Sequence, residues 1–259
     1  MKDRFRLFAR AVSNFAKSRF LLLLVGSALS SAGCASKALP LETTYFLRPE
    51  LLTHIDGIPF QKAWQRESVD WNRYTQVYVP PVNIEPLYRM EWLAGMDSEK
   101  KFRDLEDLAL STRRTLEDAF RQDPRHRFRV VDSPGPDTLV YEFALVEVVP
   151  NQAFLDTLSY LGGPLSGGTG FVIGSAWRTH SRSTVAFEVR VLDGGTQGAL
   201  AMYADREAEK NSLINVKSLS WYGHAKGIIR EWARQLVQVT ERAPGEQVKD
   251  SKTFEMKPW

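Results

Sequence analysis

Three charged residues in the C-terminal half of the chain have the types and the spacing that could do chemistry. They are Glu188, Arg190 and Asp205. Two carboxylates beside an arginine could act as a general acid–base pair, or together form a charged recognition surface. They could equally form a cross-strand ion network, in which an exposed pair contributes less than about 1 kcal/mol. We favour the ion network, because structural ion pairs far outnumber catalytic ones.

The other reactive side chains match no catalytic or metal-binding motif. The four histidines (His54, His126, His180 and His224) do not show the spacing of a His-x-x-x-His metal pair. No serine lies in a Gly-x-Ser-x-Gly elbow. The sequence therefore predicts a protein that is not an enzyme and that holds neither a metal nor a cofactor.

A β-hairpin must position the three charged side chains. Residues 183–193 and 198–206 alternate as two strands around Gly194 and Gly195. With those two glycines as the loop, Val189 lies opposite Leu200. The large apolar side chains then share one face, and the three charged residues share the opposite, open face. The apolar set selects this register, because a slip of one residue would exchange the two faces.

The elements around the hairpin predict an α+β domain. Residues 76–82, 128–131 and 138–149 are predicted strands. Asp97 is suited to cap a helix whose predicted buried stripe is Phe102, Leu105, Leu108, Thr112, Leu116 and Phe120. A second helix, capped by Ser218, carries Trp221, Ala225, Ile228, Trp232, Leu236 and Val239. This order predicts an α/β (α+β) two-layer sandwich, with a mainly antiparallel sheet and helices on one face.

A glycine-rich apolar segment, 151–177, separates two of these strands. Gly163, Gly167 and Gly170 belong to it, and it has neither the Gly-Lys-Ser/Thr ending nor the Gly-x-Gly-x-x-Gly spacing of a phosphate loop. Three interpretations stay open. The segment could be a flexible cover loop, a surface for a partner or a membrane, or a ligand cradle, and the cover loop is favoured.

The N-terminal segment has the features of a secretory signal peptide. Six basic residues and one acidic residue in 1–33 precede an apolar run over 20–29, which is too short to span a bilayer as a helix. Subtracting them from the totals of 34 basic and 31 acidic residues leaves 28 and 30, so the mature chain has a net charge of about −2. Without a basic surplus, nucleic-acid binding is not expected.

Residues 31–34, Ser-Ala-Gly-Cys, resemble the lipobox of bacterial lipoproteins. The resemblance implies that Cys34, the only cysteine, is acylated and becomes the new N-terminus. It also implies, because Ala35 is not aspartate, that the protein is sorted to the periplasmic face of the outer membrane. Ser31 departs from the usual leucine, and ordinary cleavage with an incidental Cys34 is the alternative. The predicted divisions are a signal peptide 1–33, an acylated tether 34–57, a single domain 58–242 and a disordered tail 243–259.

Two separated sets of residues resemble an uncharacterised family of bacterial lipoproteins, domain of unknown function 3313. The first set opens the domain and comprises Pro59, Phe60, Trp64, Tyr74, Val77, Val79, Pro81 and Val82. The second comprises Glu188, Arg190, Asp193, Thr196, Ala201, Asp205 and Arg206. The resemblance covers residues 58–239 and implies no particular activity.

Two hypotheses about function follow. The favoured one is a lipid-anchored accessory protein of the outer membrane that binds an unknown envelope protein without catalysis. The alternative is a periplasmic ligand-binding protein, or a weak hydrolase of an envelope glycan or lipid, that uses Glu188 and Asp205 in a concave pocket.

Overall fold

A computed structural model of the chain describes residues 38, 40, 45–150, 183–208, 221–243 and 245–251. All of them belong to one compact unit, Lys37–Thr253. The predictions about the signal peptide, Cys34, the Ser218 cap and the three glycines Gly163, Gly167 and Gly170 lie outside the described residues.

Six strands form one mixed sheet in the order β1-β6-β5-β4-β2-β3. The strands are β1 (Lys62–Gln65), β2 (Gln76–Tyr78), β3 (Arg129–Val130), β4 (Thr138–Val149), β5 (Thr184–Asp193) and β6 (Ala199–Ala208). Strand β2 pairs in parallel with β3 and β4, and the other three pairings are antiparallel. This arrangement confirms the predicted α+β class with a mainly antiparallel sheet.

Two α-helices, α1 (Ser98–Arg121) and α2 (Ala225–Glu241), cover one face of the sheet. The Asp97 carboxylate caps α1 by accepting the Lys100 N–H at 2.9 Å, as the sequence predicts. The predicted stripe of α1 is buried from Leu105 to Phe120. Phe102 is wrongly assigned to it, because it lies 50% exposed, one turn before the first buried residue of the helix.

Aromatic rings join the sheet to α2. The Phe187 ring of β5 stacks on Phe143 of β4, with centroids 5.0 Å apart, and meets Trp232 of α2 edge-on at 4.5 Å. Phe60 packs edge-on against the same ring at 5.4 Å. All four side chains are at most 2% exposed. Each such ring pair contributes about 0.5–1.5 kcal/mol of stability beyond that from the apolar area that it buries.

The sheet has two distinct ends. We call the end where β4 and β6 finish and β5 begins the exit end, and the end with the β5–β6 turn the hairpin end. Both helices begin at the exit end. Trp221 Nε1, just before α2, donates to Asp104 of α1 at 2.8 Å, and His224, the residue before α2, bonds the Thr184 backbone at the start of β5. The C-terminal ends of the helices meet through Arg125 Nη1, which donates to the Glu241 carbonyl at 3.2 Å.

The β5–β6 register differs from the prediction. Val189 lies opposite Tyr203 rather than Leu200, a shift of three residues. Asp193 pairs with Gly198, so the loop holds four residues, and the Asp193 carboxylate accepts the Gly195 and Thr196 N–H groups at 2.9 and 2.7 Å. Side chains alternate along a strand with a period of two. A shift by an odd number of residues therefore moves each β6 side chain to the opposite face of the sheet from the one predicted, relative to the side chains of β5.

Residues on both sides of the predicted domain 58–242 contact it. Residues expected in the tether 34–57 pack on the sheet: Leu47 is buried, and Thr53 exchanges backbone hydrogen bonds with Ala63 at 2.7 and 2.9 Å. Part of the expected disordered tail is ordered, because Val248 N–H donates to the Gly57 carbonyl at 2.9 Å. Both segments gain partners that lie far away in the chain, which local composition does not reveal.

The C-terminal end of α2 carries a carboxylate that resists ionisation. Burial, and then the neighbouring Asp123 carboxylate, raise the pKa of Glu241 to about 7. In the unfolded chain the pKa returns to its ordinary value near 4.5. The protonated form of this residue therefore favours the folded state.

We predict that the contribution of Glu241 to stability is full below about pH 4.5 and is lost as the pH rises through about 7. Replacing Glu241 with Gln removes the ionisation, so the unfolding free energy of the variant relative to the native chain should rise from pH 5 to pH 8. Urea denaturation followed by tryptophan fluorescence measures the unfolding free energy of both proteins at each pH. A difference that does not change with pH contradicts the prediction.

Glu246→Gln is the matched control. Glu246 faces the same Arg125 at 3.5 Å, but it is exposed, and the Ala243 N–H bond lowers its pKa. Glu246→Gln should therefore lower the unfolding free energy at neutral pH relative to the native chain, an effect opposite in sign to that of Glu241→Gln.

Candidate functional site

Glu188 lies at the centre of the sheet, on the face away from the helices. Its neighbours across the strands are Ala144 in β4 and Ala204 in β6. Adjacent residues of a strand point to opposite faces, so Glu188 faces away from the Phe187 ring that contacts α2. The side chain is nevertheless buried, with 1% exposed. Two flanking alanines leave room for another segment of chain to cover it.

That segment is the chain's own N-terminal part. The Glu188 carboxylate accepts three consecutive backbone N–H groups, from Tyr45 at 2.6 Å, Phe46 at 3.0 Å and Leu47 at 3.3 Å. Leu47 then packs on Met202 and Ala204 of β6. A buried carboxylate with charge-assisted bonds to three amides is a strong local attachment. We call residues 45–47 the clamped segment.

Arg190 lies two residues further along β5, on the same face. Its Nε donates to Glu142 Oε2 of β4 at 2.8 Å, and its guanidinium lies 5.2 Å from the centre of the Phe46 ring. A second pair of this kind joins Arg206 Nε to Glu147 Oε1 at 2.8 Å. Ion pairs therefore exist on this face, but they join Arg190 and Arg206 to β4 carboxylates, and Glu188 has backbone amides as its partners.

Asp205 lies on the helix-covered face, which separates it from Glu188. Its Oδ2 accepts the Trp232 Nε1–H group at 2.9 Å, and its Oδ1 accepts the Gln61 N–H at 3.2 Å. The side chain is 3% exposed. The prediction that Asp205 shares an open face with Glu188 and Arg190 is wrong, because the longer hairpin loop shifts the register by an odd number of residues.

Asp193 is a buried polar centre that the sequence analysis did not single out as a site. At the hairpin end it accepts hydrogen bonds from the Tyr74 hydroxyl at 2.6 Å and from Arg73 Nη2 at 2.9 Å. Burial favours its neutral form, but the bonds from Tyr74, Thr196 and Gly195 outweigh burial and lower its pKa to about 2. The Asp-Gly-Gly turn signal marked the loop, yet nothing local indicated Tyr74 as a partner.

The described part of the chain offers no metal site. It contains no group of three His, Cys, Asp or Glu side chains that could hold an ion. His224 is buried, which lowers its pKa to about 4, so the imidazole is neutral at pH 7. Its Nε2 has no hydrogen-bond partner among the described residues, but it stands alone rather than in a ligand cluster.

Tyr45 also connects the clamped segment to the exit end of the sheet. Its hydroxyl donates to the Glu85 carboxylate, in a short 3₁₀ helix, Glu85–Arg89. Ala38, further towards the N-terminus, is also bonded, because its carbonyl accepts Gln61 Nε2–H at 2.6 Å. The same Nε2 donates to the Arg206 carbonyl at 3.3 Å. The chain that precedes the domain is thus bonded to the sheet at two places, Ala38 and 45–47. No helix in the described residues has the length and hydropathy needed to cross a bilayer.

Comparisons with known proteins identify a family and two weak structural likenesses. The family model "Protein of unknown function (DUF3313)" matches residues 44–236. No curated protein matches the chain significantly.

The PelC dodecamer from Paraburkholderia phytofirmans is similar at 10% identity and a TM-score of 0.33, over 67% of this chain and 96% of that one. A neuraminyllactose-binding hemagglutinin homolog from Helicobacter pylori is similar at 9% identity and a TM-score of 0.23, over 68% and 86%. At these TM-scores neither likeness supports an argument about this chain.

We predict that Glu188→Ala lowers the unfolding free energy by roughly 2–4 kcal/mol, since three amides bound to the buried Glu188 carboxylate lose a charged acceptor. Hydrogen exchange at the amides of 45–47 should accelerate more than exchange in β4. Native-state exchange read by mass spectrometry measures both effects.

Glu142→Gln serves as the control for this prediction. It alters a carboxylate on the same face whose ion pair with Arg190 is about one third exposed. Its cost should stay below about 1 kcal/mol, as for other partly exposed pairs. Equal effects of the two substitutions would show that Glu188 has no special role in holding the clamped segment.

Proposed function

The chain belongs to the family "Protein of unknown function (DUF3313)", and from that premise we propose that it is an acylated envelope lipoprotein that binds a partner without catalysis. In this proposal Cys34 carries the acyl chains, and the domain stands at the periplasmic face of the outer membrane. The observation that carries the proposal is the attachment of the chain's own N-terminal part to the sheet, at Ala38 and at 45–47.

This attachment determines how far the domain can be from its anchor. Ala38 is the fourth residue after Cys34, and four residues span at most about 14 Å. An acylated Cys34 would therefore hold the exit end of the sheet close to the headgroups. A long flexible tether would let the domain search a wide volume, whereas this short one restricts it to partners at the membrane surface.

The same contacts argue against the hydrolase alternative. Glu188 and Asp205 lie on opposite faces of the sheet, so they cannot share one substrate. Each carboxylate is also engaged by N–H donors of the chain itself, Glu188 by three amides and Asp205 by Trp232 and Gln61. A general acid or base must reach the reacting proton within hydrogen-bond distance. These two residues serve the fold, and the hydrolase hypothesis loses the groups on which it rested.

Acylation is tested directly by metabolic labelling with palmitate. We expect label in the native chain and none in Cys34→Ala, with both proteins quantified by immunoblot. Fractionated membranes should contain the native chain in the outer membrane, and Ala35→Asp should move it to the inner membrane. Equal labelling of the native chain and Cys34→Ala contradicts acylation at this residue.

Partner binding is tested separately by crosslinking in intact cells. Of the predicted surface residues that the structure describes, Glu188, Arg190 and Asp205, only Arg190 stays partly exposed, with 37% of its side chain accessible. We expect a specific crosslinked envelope protein with the native chain and a reduced yield with Arg190→Glu. The control Arg121→Glu changes an exposed arginine at the end of α1 and should keep the yield. Recovery of the uncrosslinked monomer alone contradicts a stable partner.

A further inference from the structure

The exposed aromatic residues in the described part of the domain lie at one place. Three large apolar side chains are exposed among the described residues: Tyr88 at 40%, Phe102 at 50% and Leu110 at 47%. The Tyr88 and Phe102 rings touch, with centroids 5.6 Å apart. Isolated exposed apolar residues are ordinary, but two aromatic rings packed together in solvent are less so. We call Tyr88, Lys101 and Phe102 the aromatic patch.

The backbone presents these rings to solvent. Phe102 lies one turn before Leu105, the first buried residue of α1, and half of it is exposed. Tyr88 lies in the 3₁₀ helix Glu85–Arg89, in which only Leu87 is buried. Both rings are therefore exposed because each lies in a part of its element that the core does not cover.

The charges around the aromatic patch have both signs, and one cation lies against a ring. Arg89 pairs with Glu85 at 3.0 Å, and Arg103 pairs with Glu99 at 2.7 Å. Lys101 has no ion-pair partner in the described part of the chain, and its Nζ lies 5.8 Å from the centre of the Phe102 ring. Aromatic rings beside a lysine that can extend towards water are the composition found at membrane–water interfaces.

The aromatic patch and the chain leading to Cys34 lie at the same end of the sheet. The segment that carries Tyr88 runs to Met90, whose Sδ accepts the Val148 N–H at 3.5 Å, at the end of β4. The bond from Gln61 places Ala38 near Arg206, which pairs with Glu147 at the same end. Tyr45 bonds Glu85, three residues before Tyr88. An anchor at Cys34, at most about 14 Å from Ala38, brings this end to the bilayer.

We propose that the aromatic patch contacts the headgroup region of the bilayer that holds the anchor, so that Tyr88 and Phe102 fix the orientation of the domain. This inference rests on the proposed acylation of Cys34. The acyl chains tie the domain to the bilayer at one point, and a second contact near that point restricts how the domain can turn. The hairpin end, with Asp193 and its loop, then faces away from the membrane.

The test uses the acylated full chain in vesicles of phosphatidylethanolamine and phosphatidylglycerol. Because Cys34 is the only cysteine and its thiol is acylated, a cysteine introduced elsewhere is labelled alone with a nitroxide. Phe102→Cys reports on the patch. Asp118→Cys is the control, since it is exposed and lies 16 residues further along the same helix, about 24 Å away.

We expect a water-soluble nickel complex to reach the label at 102 at least about threefold less than the label at 118, because polar reagents are excluded from the interface. Equal accessibility in protein that floats with the vesicles overturns the patch contact alone. Shielding at 102 that disappears when protein is diluted in lipid also overturns it, since contact between copies is then the cause. Failure to float with vesicles overturns both the patch and the proposed anchor.

Discussion

The Glu188 carboxylate is buried at the centre of the sheet and therefore needs hydrogen-bond donors. This need constrains how the rest of the domain packs. A buried charge without partners costs several kcal/mol, which is a large part of the stability of a protein of this size. The neighbouring strands present Ala144 and Ala204 and supply no donor side chains there. The donors are the three amides of 45–47, so the domain is complete only when its own N-terminal segment lies across the sheet.

The two faces of the sheet consequently carry different side chains and make different contacts. One face is apolar, and its core is the set of rings around Phe187 that joins β5 to Trp232 of α2. The other face carries Glu188 and the Arg190–Glu142 and Arg206–Glu147 pairs, with the clamped segment lying over them. Asp205 belongs to the apolar face, where it satisfies the one polar atom of the Trp232 ring. Glu188, Arg190 and Asp205 thus bond to other parts of the chain and hold its segments together.

The domain is also polarised from end to end. Both helices begin at the exit end, where the preceding chain, the first turns of α1 and the ends of β4 and β6 come together. The hairpin end is closed by hydrogen bonds to Asp193. A protein tied by its N-terminus to a surface gains from such polarity, because a second contact near the tie orients the rest of the molecule.

Much of the fold was determined locally by the sequence. The Asp97 cap, the apolar period of α1 and the alternation in β4 and β5 are short-range signals, and the elements they predict are present. The sequence could not determine the β5–β6 register, since the Asp193 side chain stabilises a longer loop than the two glycines suggested. Nor could it show that Glu188 is buried, because its donors lie more than 140 residues away in the chain. The apolar period assigned Phe102 to the core, but only the tertiary structure showed that half of it is exposed. Periodicity reports which side chains share a face, whereas burial depends on what the rest of the chain brings against that face.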